Sequence, residues 1–113
     1  MIKRLAALSL LVLAAAASAQ PPPSAAERVR LQRLGAALAQ CHGAVVRRDA
    51  PTRATAAQIV DRALAGCAAR EAPIRAALVR HMGAARAGQA MQAQRAHWRQ
   101  GIAQMVAAAR ARR

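Results

Sequence analysis

Leu31, Leu34, Leu38, Cys41 and Val45 recur at alternating spacings of three and four residues, and Val60, Leu64, Cys67, Glu71, Ile74, Leu78, His81 and Ala85 keep the same alternation without a phase slip. A 3-4 repeat lines up one side chain per turn on a single helical face, whereas a half-buried strand alternates every second residue. The pattern therefore restricts the chain to an all-α fold whose helices pack lengthwise on their neighbours.

Local signals divide this pattern into elements. Ser24 followed by Glu27 reads as a capping box, in which hydroxyl and carboxylate satisfy free amides of the first turn, and opens a first helix from about Ala25 to Arg48. Asp49-Ala50-Pro51-Thr52-Arg53 ends it, because proline pushes Ala50 out of the α region and Asp49 favours a turn. Thr55 and Gln58 form a second capping box. The stripe then passes Pro73 in phase, which favours one long second helix kinked between Ala69 and Pro73. The competing arrangement starts a separate helix at Pro73. Gly83 and Gly88 bracket a run of small residues after which the stripe changes phase, so a turn is expected there. The last helix carries Met91, Trp98, Ile102, Met105 and Ala109 on one face, and ends in a fraying tail whose Arg110, Arg112 and Arg113 suit the negative end of the helix dipole. The expected fold is a small antiparallel three-helix bundle over residues 25–113, a single domain with a thin core and no repeat.

Lys3 and Arg4, the apolar run from Leu5 to Ala17, and Ala17-Ser18-Ala19 read as a secretory signal peptide over residues 1–19, cleaved after Ala19. Residues 20–24 form a proline-rich leader, and no later segment is apolar enough to span a membrane. The mature protein is expected in the periplasm or outside the cell. In that setting Cys41 and Cys67 read as an interhelical disulfide closing a loop of 26 residues. Folding the first two helices about the Asp49–Arg53 turn sets Cys41 opposite Ala63, about 6 Å short of Cys67 along the axis, an offset that an asymmetric loop absorbs. The same arithmetic about the second turn sets Trp98 near Ile74.

Loss of Lys3 and Arg4 with the signal leaves sixteen arginines against the four acids Glu27, Asp49, Asp61 and Glu71, a formal charge of +12. So strong a positive field points to anionic partners. The plainer reading is that arginine and alanine, both good helix formers, simply fill solvent-facing positions. Trp98 is the only aromatic residue, which removes the stacking platforms of a single-strand nucleic-acid binder, and sequence-specific nucleic-acid recognition is not expected.

Glu71 is the one acid on an apolar stripe and needs a partner, either Arg75 at i+4 or an arginine from another helix. No second carboxylate or histidine is placed beside it by spacing, so no catalytic residue is assigned and no enzyme or cofactor is expected. His42, His81 and His97 do not sit at i, i+4 on one helix, and His42, next to Cys41, is expected on a different side of its helix. The alternative metal set is His81, Met82 and Met91, against a core role for the methionines.

Cys41 with Cys67, then Glu71 and Leu78, and an arginine-rich last helix resemble small exported helical proteins of proteobacteria, a likeness that implies no activity. Thr55-Ala56-Ala57-Gln58 also resembles the T-x-x-Q part of the L-T-x-x-Q motif at a helix start in periplasmic stress proteins of the Spy and CpxP type, which are small, helical and basic; Ala54 stands where that motif has leucine. The expectation is an exported binding protein of the envelope, envelope-stress or chaperone-like. It would contact an anionic protein or envelope polymer through Arg28, Arg47, Arg62, Arg70, Arg80 and Arg99. No oligomeric state follows from the sequence.

Overall fold

The structure, a computed structural model, describes residues 22–113; the signal peptide read over residues 1–19 and the first residues of the leader lie outside the described residues. All regular elements described are helices: α1 (Ala25–Asp49), α2 (Ala56–Gly66), α3 (Ala68–Met82) and α4 (Ala84–Ala111). None of them is long and apolar enough to cross a membrane.

Both capping boxes form. The Ser24 hydroxyl accepts the Glu27 amide at 3.2 Å while the Glu27 carboxylate accepts the Ser24 amide at 3.1 Å. Thr55 and Gln58 exchange the same pair of bonds at 3.1 and 2.9 Å. Between α1 and α2 the Asp49 carbonyl accepts both the amide and the hydroxyl of Thr52, at 2.9 and 2.6 Å, and Ala50, expected to be pushed from the α region by Pro51, stays in it at φ −56° and ψ −37° because its amide still bonds the Val46 carbonyl at 2.8 Å.

The long second helix kinked near Pro73 is replaced by two helices that part at Cys67. Cys67 has φ −102° and ψ 9°, in the bridge region, and its carbonyl accepts the Arg70 amide at 2.9 Å in a tight turn. Gly66, the weakest helix former of the segment, precedes the break, and Cys67 is held with its Cα 5.9 Å from that of Cys41. One residue outside helical geometry leaves the stripe in phase, so Val60, Leu64, Cys67, Glu71 and Ile74 are all buried on both sides of the break. Pro73 lies inside α3, where it removes only the hydrogen bond to the Ala69 carbonyl.

The second turn is also shorter than the glycines suggest. Gly83 alone reverses the chain, with φ 81° and ψ 163°, a conformation that is essentially confined to glycine, and α4 runs straight through Gly88. At the other end α4 continues to Ala111, with Arg112 and Arg113 beyond it. Arg110 donates to the carbonyls of Ala50 at 3.2 Å, Thr52 at 3.3 Å and Ala54, pinning the α4 terminus to the α1–α2 loop.

α1 and α4 each pack along both α2 and α3. Near the α1–α2 loop the core is built from Val46, Ala50, Ile59, Val60, Ala63, Leu64, Ile102 and Val106. Towards the α3–α4 turn Leu38, Cys67, Ile74 and Met91 form a second cluster. Trp98 is half-buried and packs on both clusters, including the one that holds Ile74, so the indole joins the two halves of a core otherwise rich in alanine. The sulfurs of Cys41 and Cys67 stand at bonding distance, 2.07 Å, and join α1 to the α2–α3 junction.

Candidate functional site: a basic furrow between two helices

Residues 39, 42, 43, 46 and 47 of α1 and residues 97, 98, 101, 102, 105, 108 and 109 of α4, with Arg112 just past its end, follow helical spacing, so each set occupies one face of its helix. These faces bound two adjoining cavities. One, of about 290 Å³, is lined by His42, Trp98, Gly101, Ile102 and Met105 among others; the next, of about 340 Å³, is lined by Gly43, Val46, Arg47, Met105 and Arg112 among others. Met105 lines both, so the two adjoin at its side chain and together follow the α1–α4 furrow. Glycine and alanine at positions 39, 43, 101, 108 and 109 leave it open, and no acidic side chain lines it.

His42 forms its inner wall. The residue is 3% exposed and meets Trp98 edge-on with centroids 6.1 Å apart. Its Nε2 has no hydrogen-bond partner. Burial pushes the imidazole below its ordinary pKa, opposed by the negative charge of Glu71, so the ring is neutral at pH 7. The signal missed in the sequence is a second buried line on α1, Leu38, His42 and Val46 at i, i+4, beside the one through Cys41; α1 packs against three helices and needs a wider apolar face than a single seam provides.

The four acids are all engaged. Glu71, 5% exposed, takes the Nε of Arg95 on α4 at 3.2 Å; Arg95, not the local Arg75, is thus the partner. Its Oε2 has none. Asp49 is held in a two-pronged contact by Arg48 at 2.8 and 3.0 Å, with Arg62 at 3.6 Å, and the Arg48 hydrogen bonds hold its carboxyl below the usual carboxylate range. Asp61 meets Arg99 at 3.0 Å, and Glu27 meets His81 at 2.9 Å.

The six arginines singled out by sequence therefore divide. All are exposed, but Arg62 and Arg99 are in ion pairs, and Arg28 donates to the Pro23 carbonyl at 2.9 Å. Among the described residues no acid pairs with Arg47, Arg70 or Arg80. Arg47 folds back over Gly43, where a Cβ would come within 3.2 Å of its Nη1. Arg112, which the sequence assigned only to the helix dipole, stands on the same furrow as Arg47. Of the alternative metal set, His81 faces Glu27, Met82 is half-buried beside it, and Met91 is 2% exposed in the core with Leu38 and Ile74. Among the described residues no three of His, Cys, Asp and Glu converge as metal ligands.

No family model, curated protein or solved structure matches the chain.

Proposed function

We propose that the protein is an exported, strongly basic helical binding protein of the cell envelope, contacting anionic protein or envelope polymer, with an envelope-stress or chaperone-like role. The observation that carries this reading is the complete use of the carboxylates: Glu27, Asp49, Asp61 and Glu71 each have a basic partner, while Arg47, Arg70 and Arg80 are exposed and unmatched among the described residues. An external anion supplies the counter-charge that the chain lacks. The three guanidiniums lie on α1 and α3, so the cationic surface is spread along the bundle rather than focused at one cleft. Such a distribution suits an extended polyanion or an acidic client surface. In this reading α2 and α3 together act as the bent middle rod of a three-rod bundle, and the disulfide supports export to an oxidising compartment. Binding is preferred to catalysis because Glu71, which lines a cavity with Arg75 and Arg95, is matched by Arg95, and His42, on the furrow wall, is packed against Trp98. A metal role through His81, Met82 and Met91 ranks second, since His81 and Met91 already have partners within the fold.

The test is retention of the oxidised protein on a sulfated polysaccharide column and capture of envelope components, each washed at low salt and at about 0.3 M, where screening shortens the Debye length to several Å. Arg47→Glu, Arg70→Glu and Arg80→Glu combined should abolish retention. Unchanged binding by that triple variant overturns the reading.

A further inference from the structure

We propose that the furrow between α1 and α4 binds a single-chain fatty acid, with its carboxylate between Arg47 and Arg112 and its alkyl chain on Met105, Ile102 and Trp98. The inference rests on the reading that unmatched arginines recruit anions, and adds a site and a ligand class to it.

The furrow combines two features that a polyanion does not use together. Its floor is apolar, made by Trp98, Ile102 and Met105, and the two cavities, which adjoin at Met105, are lined from His97 on α4 to Arg112 just past its end. At 1.5 Å per residue that is about 20 Å, the reach of an extended acyl chain. Its guanidiniums are at one end, where Arg47 and Arg112 line the opening with no acid on either wall, while the far end carries His42 and the exposed His97. A guanidinium pair fits a carboxylate by charge-assisted hydrogen bonds. At the opposite end the only deeply buried polar wall is His42, 3% exposed, so the chain terminus meets an edge-packed imidazole and indole instead of an ion. An acid-rich peptide would leave that floor unfilled, and a neutral lipid would leave the guanidiniums unmatched. A molecule with one anionic head and one unbranched tail satisfies both.

Trp98 is the only tryptophan of the chain and lines the furrow, so its emission reports occupancy without labelling. The experiment titrates the full-length oxidised protein with laurate below its micelle concentration, and in parallel with dodecanol and with butyrate, while retention on the sulfated polysaccharide is recorded for the same samples. Laurate should give a saturable change in emission, with dodecanol and butyrate each weaker by about tenfold or more. Gly101→Leu, at a position where an added Cβ meets nothing within 4 Å, should keep the helical circular dichroism and polysaccharide retention yet weaken laurate by about tenfold. Arg47→Gln with Arg112→Gln should weaken laurate by a similar factor and leave dodecanol unchanged. Absence of a saturable laurate response, equal affinity for dodecanol, or full laurate binding by folded Gly101→Leu overturns the proposal. If laurate fails while polysaccharide retention persists, the furrow alone is refuted; if retention is lost as well, the anionic-partner reading falls with it.

Discussion

Arg95 on α4 sets its Nε 3.2 Å from Oε1 of Glu71 on α3 in an ion pair, so the one carboxylate that falls on an apolar stripe is matched by a helix distant in sequence. Glu71 has a side chain only 7% exposed, whereas Arg95 remains 46% exposed, and the contact works mainly by compensating a charge already withdrawn from water. Arg95→Ala is therefore expected to cost about 1–3 kcal/mol in urea unfolding, reduced from the cost at a fully buried pair by solvent at the guanidinium. Arg75→Ala, one turn along α3 from Glu71, should change stability by less than about 0.5 kcal/mol. Equal losses at the two positions would show that Glu71 is matched locally.

The Cys41–Cys67 bond spans 26 residues of sequence. In the chain-entropy account its reduction should remove about 3.5 kcal/mol. For a domain of this size that lowers the melting temperature by roughly 15–25 °C, measured by circular dichroism with and without reductant. A shift of only a few degrees would place most of the stability in the helices themselves.

Gly83 and Gly88 should respond to alanine with opposite signs. Gly83 has φ 81° and ψ 163°, so Gly83→Ala costs about 1–3 kcal/mol even though nothing crowds its Cβ position. Gly88 lies within α4, exposed and with open space around it, and Gly88→Ala should stabilise by about 0.5–1 kcal/mol. Thermal melts of the two single variants read the contrast directly.

His42 sets a pH dependence. Its pKa is lowered in the folded protein, so the unfolded chain takes up a proton near the ordinary imidazole value of about 6.5 while the native ring does not. More protons bound in the unfolded state means that stability is complete above that value and falls as pH drops below it, until the native ring also protonates. Unfolding free energies at pH 7.5 and 5.5 should differ more in the wild-type protein than in His42→Leu. Identical differences would show that the ring is not held neutral by the fold.

What could be read from the sequence was what local chemistry decides. Both capping boxes and the cysteine pair depend on neighbours a few residues away or on two unique thiols, and both are found as expected, whereas the turn at Pro51 forms with Ala50 still in the α region. The break at Cys67 escaped because a one-residue interruption does not change the phase of the stripe, and Pro73 drew the eye to a position that the helix tolerates. The placement of Gly88 escaped for the converse reason: a phase slip locates a turn only to within a few residues, and the single residue able to make it, Gly83, is identified by its backbone angles. Arg95, Arg110 and Arg112 take their roles from helices that meet in space, as does the furrow, whose walls come from α1 and α4 with two helices between them in sequence. His42 was half legible, since Leu38, His42 and Val46 already stand four residues apart.

The Cys41–Cys67 bond lies at the two ends of a hairpin, and so turns part of α1, the connecting loop and all of α2 into a covalently closed ring. Val46, Ala50, Ile59, Val60, Ala63 and Leu64 belong to that ring, whereas Ile102 and Val106 reach into it from α4. α4 is bound to that ring by non-covalent contacts alone, among them the Arg110 clasp on the loop carbonyls, whereas the two sides of the ring stay tethered to each other even in the unfolded chain.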